Sequence, residues 1–339
     1  MMDLNSIWFL LIGVLLTGYA ILDGFDLGVG ALHLFTRGEA DRRTLINAIA
    51  PVWDGNEVWL LTGGGALFAA FPAVYATVFS GFYLALVLLL LALIFRAVAM
   101  EFRGKVDSPG WRTFWDWSFG LGSALPALLL GVAFGNILRG IPIDAAGTFT
   151  GSFFGLLNPY AVLIGLLSLT LFSMHGATYL TVKTDGDLRK QMTGYASRLW
   201  MAFILLYIIA TAYSLLEAPF LFRDLLGNPI FWVFFILFLA AGLLHPVALK
   251  GEKFFRAFLL SCIMVAGTIG LSAVSLFPLL VPSITDLAYS LTIYNASSTQ
   301  GTLSVMLIIA LIGMPFVIAY TWFIYRAFKG KVILGPDSY

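Results

Sequence analysis

The chain has 339 residues, 60% of them hydrophobic and only 11% charged, against about 25% charged in a soluble domain. One globule of this length cannot hide so much apolar surface, so the bilayer is the default environment. A net charge of +1 offers nothing for nucleic acid, and the single cysteine, Cys262, excludes a disulfide framework.

The N-terminal MMDLNSIWFLLIG lacks the basic n-region of a cleavable signal peptide and leads straight into a spanning segment. A helix needs about 20 apolar residues to cross the hydrocarbon core. Nine stretches qualify: 7–36, 50–70, 75–102, 114–138, 157–183, 197–219, 229–249, 255–279 and 303–328. Many are rich in β-formers, but open sheet edges are excluded from lipid, so the expected fold is an all-α integral membrane protein with nine transmembrane helices. Residues 1–339 then form a single transmembrane domain. Eight helices plus one suggest two four-helix bundles and an extra helix.

Basic residues test this count, because cytoplasmic loops collect Lys and Arg. Alternate loops and the C-terminal tail hold Arg37, Arg42, Arg43, Arg103, Lys105, Arg112, Lys183, Arg189, Lys190, Arg198, Lys250, Lys253, Arg256, Arg326, Lys329 and Lys331. Of the 19 lysines and arginines, Arg139 and Arg223 fall on the other side and Arg96 inside a span. The N-terminus is therefore expected outside and the C-terminus in the cytoplasm. The longest outside loops, 139–156 and 280–302, are too short for a separate domain.

Charged groups inside a membrane are functional candidates by default. Span one carries Asp23 and Asp26, span two opens on Trp53-Asp54-Gly55-Asn56-Glu57, and span three holds Arg96. Asp23 and Asp26 share a helix face, as do Asp54 and Glu57. With the N-terminus outside, all five groups fall in the cytoplasmic half of three consecutive helices. Two readings stay open: carboxylates in series that relay protons inward, or an ion-paired knot in which Arg96 neutralises an acid.

Gly24 and Gly28 form a small-xxx-small pair suited to close helix approach, and Gly63-Gly64-Gly65 is read as tight packing or a bend in span two. His33, His175 and His245 lie in three different spans, with none at ligand spacing; His33 and His245 are expected at the interface. Trp111, Trp115 and Trp117 read as an interfacial belt. A proton-coupled secondary transporter and a purely structural membrane scaffold both fit these features.

The strings LDGFDLGVGAL (22–32) and INAIAPVWDGNEVWLLTGGGALFAAFPAVYATVFSGFYLAL (46–86) resemble subunit II of the cytochrome bd-type quinol oxidases. So do WDWSFGLGSALPALLLGVAFGN (115–136), LLNPYAVLIG (156–165), HGATYL (175–180), LFPLLVPS (276–283) and SLTIYNASSTQGTLSVM (290–306). The resemblance implies an oxygen-reducing complex of the bacterial cytoplasmic membrane, fed by quinol. It implies as partner a haem-bearing subunit I, holding two b-type haems and one d-type, while this chain binds none by its own ligands. Small single-span accessory subunits, quinone and lipid are further expected partners. It also implies that Asp54 sits at the cytoplasmic mouth of a proton route, that Asp23, Asp26 and Arg96 are polar positions along it, and that Trp59 marks a dioxygen entry. Glu57 stands where some members carry glutamine, and its charge is expected to add to the proton antenna.

Overall fold

The computed structural model describes residues 3–335. Eleven α-helices follow one another: α1 Leu4–His33, α2 Glu39–Ile49, α3 Trp53–Ala70, α4 Pro72–Gly81, α5 Tyr83–Phe102, α6 Pro109–Arg139, α7 Pro159–Lys183, α8 Gly186–Glu217, α9 Pro229–Lys250, α10 Phe254–Leu276 and α11 Gln300–Ala327. Among the described residues, eight of these are long and apolar enough to cross a membrane: α1, α5, α6, α7, α8, α9, α10 and α11.

The helix ends follow ordinary capping rules. Asp3, Asn158, Asn228 and Thr299 accept backbone N–H bonds at the starts of α1, α7, α9 and α11, and proline opens α4, α6, α7 and α9, where its missing N–H is harmless.

α1 is the axis of the molecule, packing on α3, α6, α7 and α10. Its contact with α7 is made by glycine on both sides. A Cβ placed on Gly28 would lie 1.9 Å from the Phe172 carbonyl oxygen, and one on Gly176 would lie 2.6 Å from the Gly28 carbonyl carbon. The two backbones therefore touch, as the Gly24/Gly28 pattern predicts. α3 runs antiparallel to α1. Its Asn56 meets Leu22, the Trp59 ring covers Gly18, and Gly63 faces Leu16.

Three sequence expectations are corrected. The stretch 75–102 is not one helix, because α4 ends and Phe82 leaves helical geometry at φ −100°, ψ 14° before α5 begins. α4 belongs to the end of the bundle that holds the α1 N-terminus. There Val74 and Phe82 join a core cluster with Trp8, Ile141, Ile143 and Ile293, and the Thr77 hydroxyl donates to the Gly147 carbonyl. The glycine run Gly63-Gly64-Gly65 does not pack tightly throughout. Only Gly63 has a neighbour, while Gly64 and Gly65 face open space. Finally, His33 and His245 are not interfacial; both are fully buried.

The segments 139–156 and 280–302 fold onto each other at that same end. Two short antiparallel strands, β1 Leu279–Val281 and β2 Leu291–Thr292, pair there, with a bridge from Ile141 to Ser283. At the opposite end the first connection forms α2, whose Leu45, Ile46 and Ile49 are buried against the bundle.

Candidate functional site

Asp23 and Asp26 project from α1 into a sealed space where they meet Arg96 of α5. All three are 0% exposed. The guanidinium forks onto one acid, Nη2 donating to Asp23 Oδ1 over 2.7 Å and Nη1 to Oδ2 over 3.3 Å. Asp26 Oδ2 stands 4.0 Å from the same Nη2. It accepts instead from Asn56 Nδ2 on α3 at 2.8 Å, and the Tyr325 hydroxyl of α11 donates to Asn56 Oδ1 over 3.0 Å. Asp26 Oδ1, Arg96 Nε and the Tyr19 hydroxyl are buried without a hydrogen-bond partner.

The two acids and one guanidinium make the site chemically asymmetric. With both carboxylates ionised the sealed trio carries one uncompensated negative charge, which a single proton neutralises. Asp23 spends both oxygens on the Arg96 fork, whereas Oδ1 of Asp26 has no partner.

The remaining predicted acids lie on α3 between this trio and the surface. Glu57 is half-buried and lies within electrostatic reach of Asp54 on one side and of Asp23 and Arg96 on the other. Asp54 is exposed at the first turn of α3. The five charged residues singled out from the sequence thus form a gradient from exposed Asp54, through Glu57, to the sealed Asp23, Asp26 and Arg96. Trp59 stands apart from them. Its ring lies over Gly18 and lines an apolar cleft of about 340 Å³ with Val58, Thr62, Tyr320 and Thr321, between α3 and α11.

Sequence reasoning missed Asn56 and Tyr325. Asn56 sits inside the WDGNE string, but an uncharged amide costs less to bury than the carboxylates that flank it and so stands out less. Tyr325 is 269 residues away and carries no local signal at all.

A second polar cluster was also missed. Asp116 of α6, 4% exposed, accepts from His33 Nε2 at 2.5 Å, Arg103 Nε at 2.6 Å and Arg42 Nη1 at 2.8 Å. Arg103 also forks onto Glu39 of α2 at 2.8 and 2.9 Å. Two carboxylates and two guanidiniums balance here, so the cluster acts as a latch holding α2 to α1, α5 and α6. The expected belt is modified accordingly. Trp115 is buried beside this latch, Trp111 donates to the Phe102 carbonyl, and Trp117 alone stays exposed.

The latch has an expected pH dependence. The hydrogen bonds from Arg103 hold the Glu39 carboxyl below its ordinary value of 4.5. A carboxylate depressed in the folded state stabilises it fully above about pH 4.5 and loses that contribution as pH falls through the lowered value. Hydrogen exchange over residues 39–49, corrected for intrinsic rates, is therefore expected to rise on acidification below pH 4.5. Glu39→Gln should remove that dependence, and an acid response unaltered by the substitution would refute the assignment.

Each buried histidine has one or two polar partners within the chain, and Nδ1 of His33 and of His245 has none. His175 uses Nε2 on the Ile21 carbonyl at 2.9 Å and Nδ1 on the Ser261 hydroxyl at 2.7 Å. His245 Nε2 is paired with the Thr178 hydroxyl at 3.1 Å and His33 Nε2 with Asp116. Among the described residues no three His, Cys, Asp or Glu side chains converge as a metal would require.

Comparison with known proteins places these features in context. Residues 4–328 match the family model described as cytochrome bd terminal oxidase subunit II. A probable cytochrome oxidase subunit 2 of Haemophilus influenzae is 40% identical, the alignment covering 97% of this chain and 95% of that one. The cytochrome bd-I ubiquinol oxidase subunit 2 of Escherichia coli K12 is 38% identical over the same shares. A solved structure of bd oxidase from Geobacillus thermodenitrificans shares the fold, with a TM-score of 0.80 at 18% identity, covering 96% of this chain and 99% of that chain.

Proposed function

The chain belongs to the cytochrome bd terminal oxidase subunit II family, and from that membership we propose that it steadies a haem-bearing subunit I and brings cytoplasmic protons to it. Membership supersedes the transporter reading. The complex would reside in the bacterial cytoplasmic membrane, with this chain's N-terminus outside and α3 serving as a ninth crossing. Its 18 residues, about 27 Å of helix, pack along α1, with Asn56 at Leu22 and Gly63 at Leu16.

The observation that carries the proton reading is the graded burial of the acids toward a trio short of one positive charge. Asp54 collects a proton at the surface, Glu57 passes it inward, and Asp26 holds it at Oδ1 while Asp23 stays paired with Arg96 beside it. Protons taken from one side of the membrane separate charge when dioxygen becomes water, provided quinol releases its own protons on the other. The haems supply the site of dioxygen reduction. We assign them, two b-type and one d-type, to subunit I, as the family resemblance implies.

Subunit I is placed against α3 and α11. Leu303 is the one buried residue among those described on α11, Gly64 and Gly65 stand open on α3, and the apolar cleft at Trp59 lies between the two helices. Dioxygen, which partitions into lipid, would enter along that cleft.

The scaffold reading draws on the forked Asp23–Arg96 pair, which is sealed and ties α1 to α5. Asp54→Asn separates the two. Asp54 is exposed and lies outside that pair, so haem content should be retained while turnover and proton uptake fall by about tenfold, equivalent to about 1.4 kcal/mol in the barrier. Unchanged proton uptake in a fully assembled Asp54→Asn complex would leave the scaffold role alone standing.

A further inference from the structure

α11 is barely covered by its own chain, yet it sends one hydroxyl to Asn56, the residue that hydrogen-bonds buried Asp26. The segment just after α11 is tied to the α7–α8 connection. Val332 N donates to the Lys183 carbonyl at 2.9 Å, Lys183 Nζ to the Phe328 carbonyl at 2.7 Å, and Lys331 pairs with Asp185. This strap holds Tyr325 where its hydroxyl meets Asn56 Oδ1.

Asn56 has its own orientation imposed from the other end. The Asp26 carboxylate and the Leu22 carbonyl, at 2.8 and 3.2 Å, face its amide nitrogen. A carbonyl only accepts, so the NH₂ group must point at them and Oδ1 at Tyr325. A donor on the oxygen of an amide polarises it and strengthens the N–H bonds it makes at its nitrogen. The Tyr325 hydroxyl therefore acts on Asp26 without touching it.

Resting on the proton reading above, we propose that Tyr325 is a positioning residue for Asp26, acting through Asn56, so that the proton-holding site answers to the placement of α11. An amide does not itself pass protons, so the Tyr325–Asn56 pair is a control on the route and not a part of it. The groups around Asp26 are Asp23 on α1, Asn56 and Glu57 on α3, Arg96 on α5, Tyr179 on α7 and Tyr325 on α11. Of these, only Asn56 donates a hydrogen bond to Asp26. Donation to a carboxylate favours its ionised form, and weakening the donor favours the protonated one.

The test uses the purified oxidase complex and the infrared difference band of a protonated carboxyl group, followed against pH. The band that disappears in Asp26→Asn belongs to this site. Tyr325→Phe is expected to move its midpoint upward by about half a pH unit and Asn56→Leu by about one. The double variant should go no further than Asn56→Leu alone, since Tyr325 acts only through Asn56. Haem content and quinol KM should not change in Tyr325→Phe. If Asn56→Leu does not assemble, Asn56→Ser takes its place in the cycle. An unmoved midpoint in Tyr325→Phe, or shifts that add in the double variant, would overturn the proposal while leaving the proton route intact. If no band is lost in Asp26→Asn, the proton reading fails, and this proposal with it.

Discussion

Replacement of Arg96 by methionine is expected to prevent accumulation of the assembled complex. The guanidinium is 0% exposed, forks onto Asp23 and stands 4.0 Å from Asp26. Without it two carboxylates remain in a sealed, low-dielectric space with no cation. Removing one partner of a buried ion pair destabilises by about 3–5 kcal/mol, because the other charge is left unpaired. Folded domains hold only about 5–15 kcal/mol in total, so the loss is a large share of the whole. Asp23→Asn added to Arg96→Met should recover part of it, since the surviving Asp26 keeps its bond from Asn56 and neutralises by holding a proton. The measurement is the thermal midpoint and haem yield of the solubilised complex for the parent, both single variants and the double. An Arg96→Met complex as stable as the parent would mean that the trio is hydrated and the sealed-charge argument is wrong.

Gly28→Ala is expected to be nearly as damaging, for steric reasons alone. The added Cβ would lie 1.9 Å from the Phe172 carbonyl oxygen and 2.6 Å from its carbon. Both are backbone atoms, so no side-chain rotation relieves the clash and α1 must part from α7. That separation would break the His175–Ile21 bond and the stack of Phe25 on Tyr179, whose ring centroids are 4.0 Å apart. Overpacking typically costs about 1–3 kcal/mol, and more where backbone must move; about 3 kcal/mol is expected here. Gly194→Ala on α8 is the internal comparison, because its Cβ meets nothing within 4 Å. Equal melting of the Gly28→Ala and parent complexes would show that the two helices do not approach as closely as described.

These two residues differ in how far the sequence announces them. Arg96 stands out at once, because a guanidinium in the run LIFRAVAM is expensive in lipid wherever its partner is. Its partner could be narrowed to the acids of spans one and two, but not to Asp23 in preference to Asp26. The choice depends on the rotation of α5 about its axis, which hydropathy does not encode. Gly28 was legible as a close-approach position through Gly24 and Gly28, yet its opposite number Gly176 was not. The Gly64 and Gly65 pair shows the converse: the same residue type signals close packing whether or not this chain provides the neighbour.

The second polar cluster shows a different limit. Arg103 and Asp116 lie at the end of one helix and the start of the next, where charged residues usually meet water. Only the fold of Glu39–Ile49 as a helix over that end buries them, and its short amphipathic pattern is hidden between two long apolar spans. In the same way the 75–102 stretch reads as one continuous apolar run. The break at Phe82 arises because α4 packs against the 139–156 segment, through Thr77 on Gly147 and Phe82 on Phe149.

What the sequence by itself determined is the solvent. Runs of about 20 apolar residues require a bilayer, and the few charges within them mark where burial must be compensated, so Asp23, Asp26, Asp54, Glu57 and Arg96 could be named from one dimension. What only the tertiary structure decided is which of those charges are sealed and who holds them. Asn56 holds Asp26 from 30 residues away, and Tyr325 in turn holds Asn56 from 269 residues away. The reason is physical: hydropathy records the free energy of moving a side chain from water to lipid, whereas a hydrogen bond between helices depends on their separation and rotation. Those are set by backbone contacts such as Gly28 on Phe172.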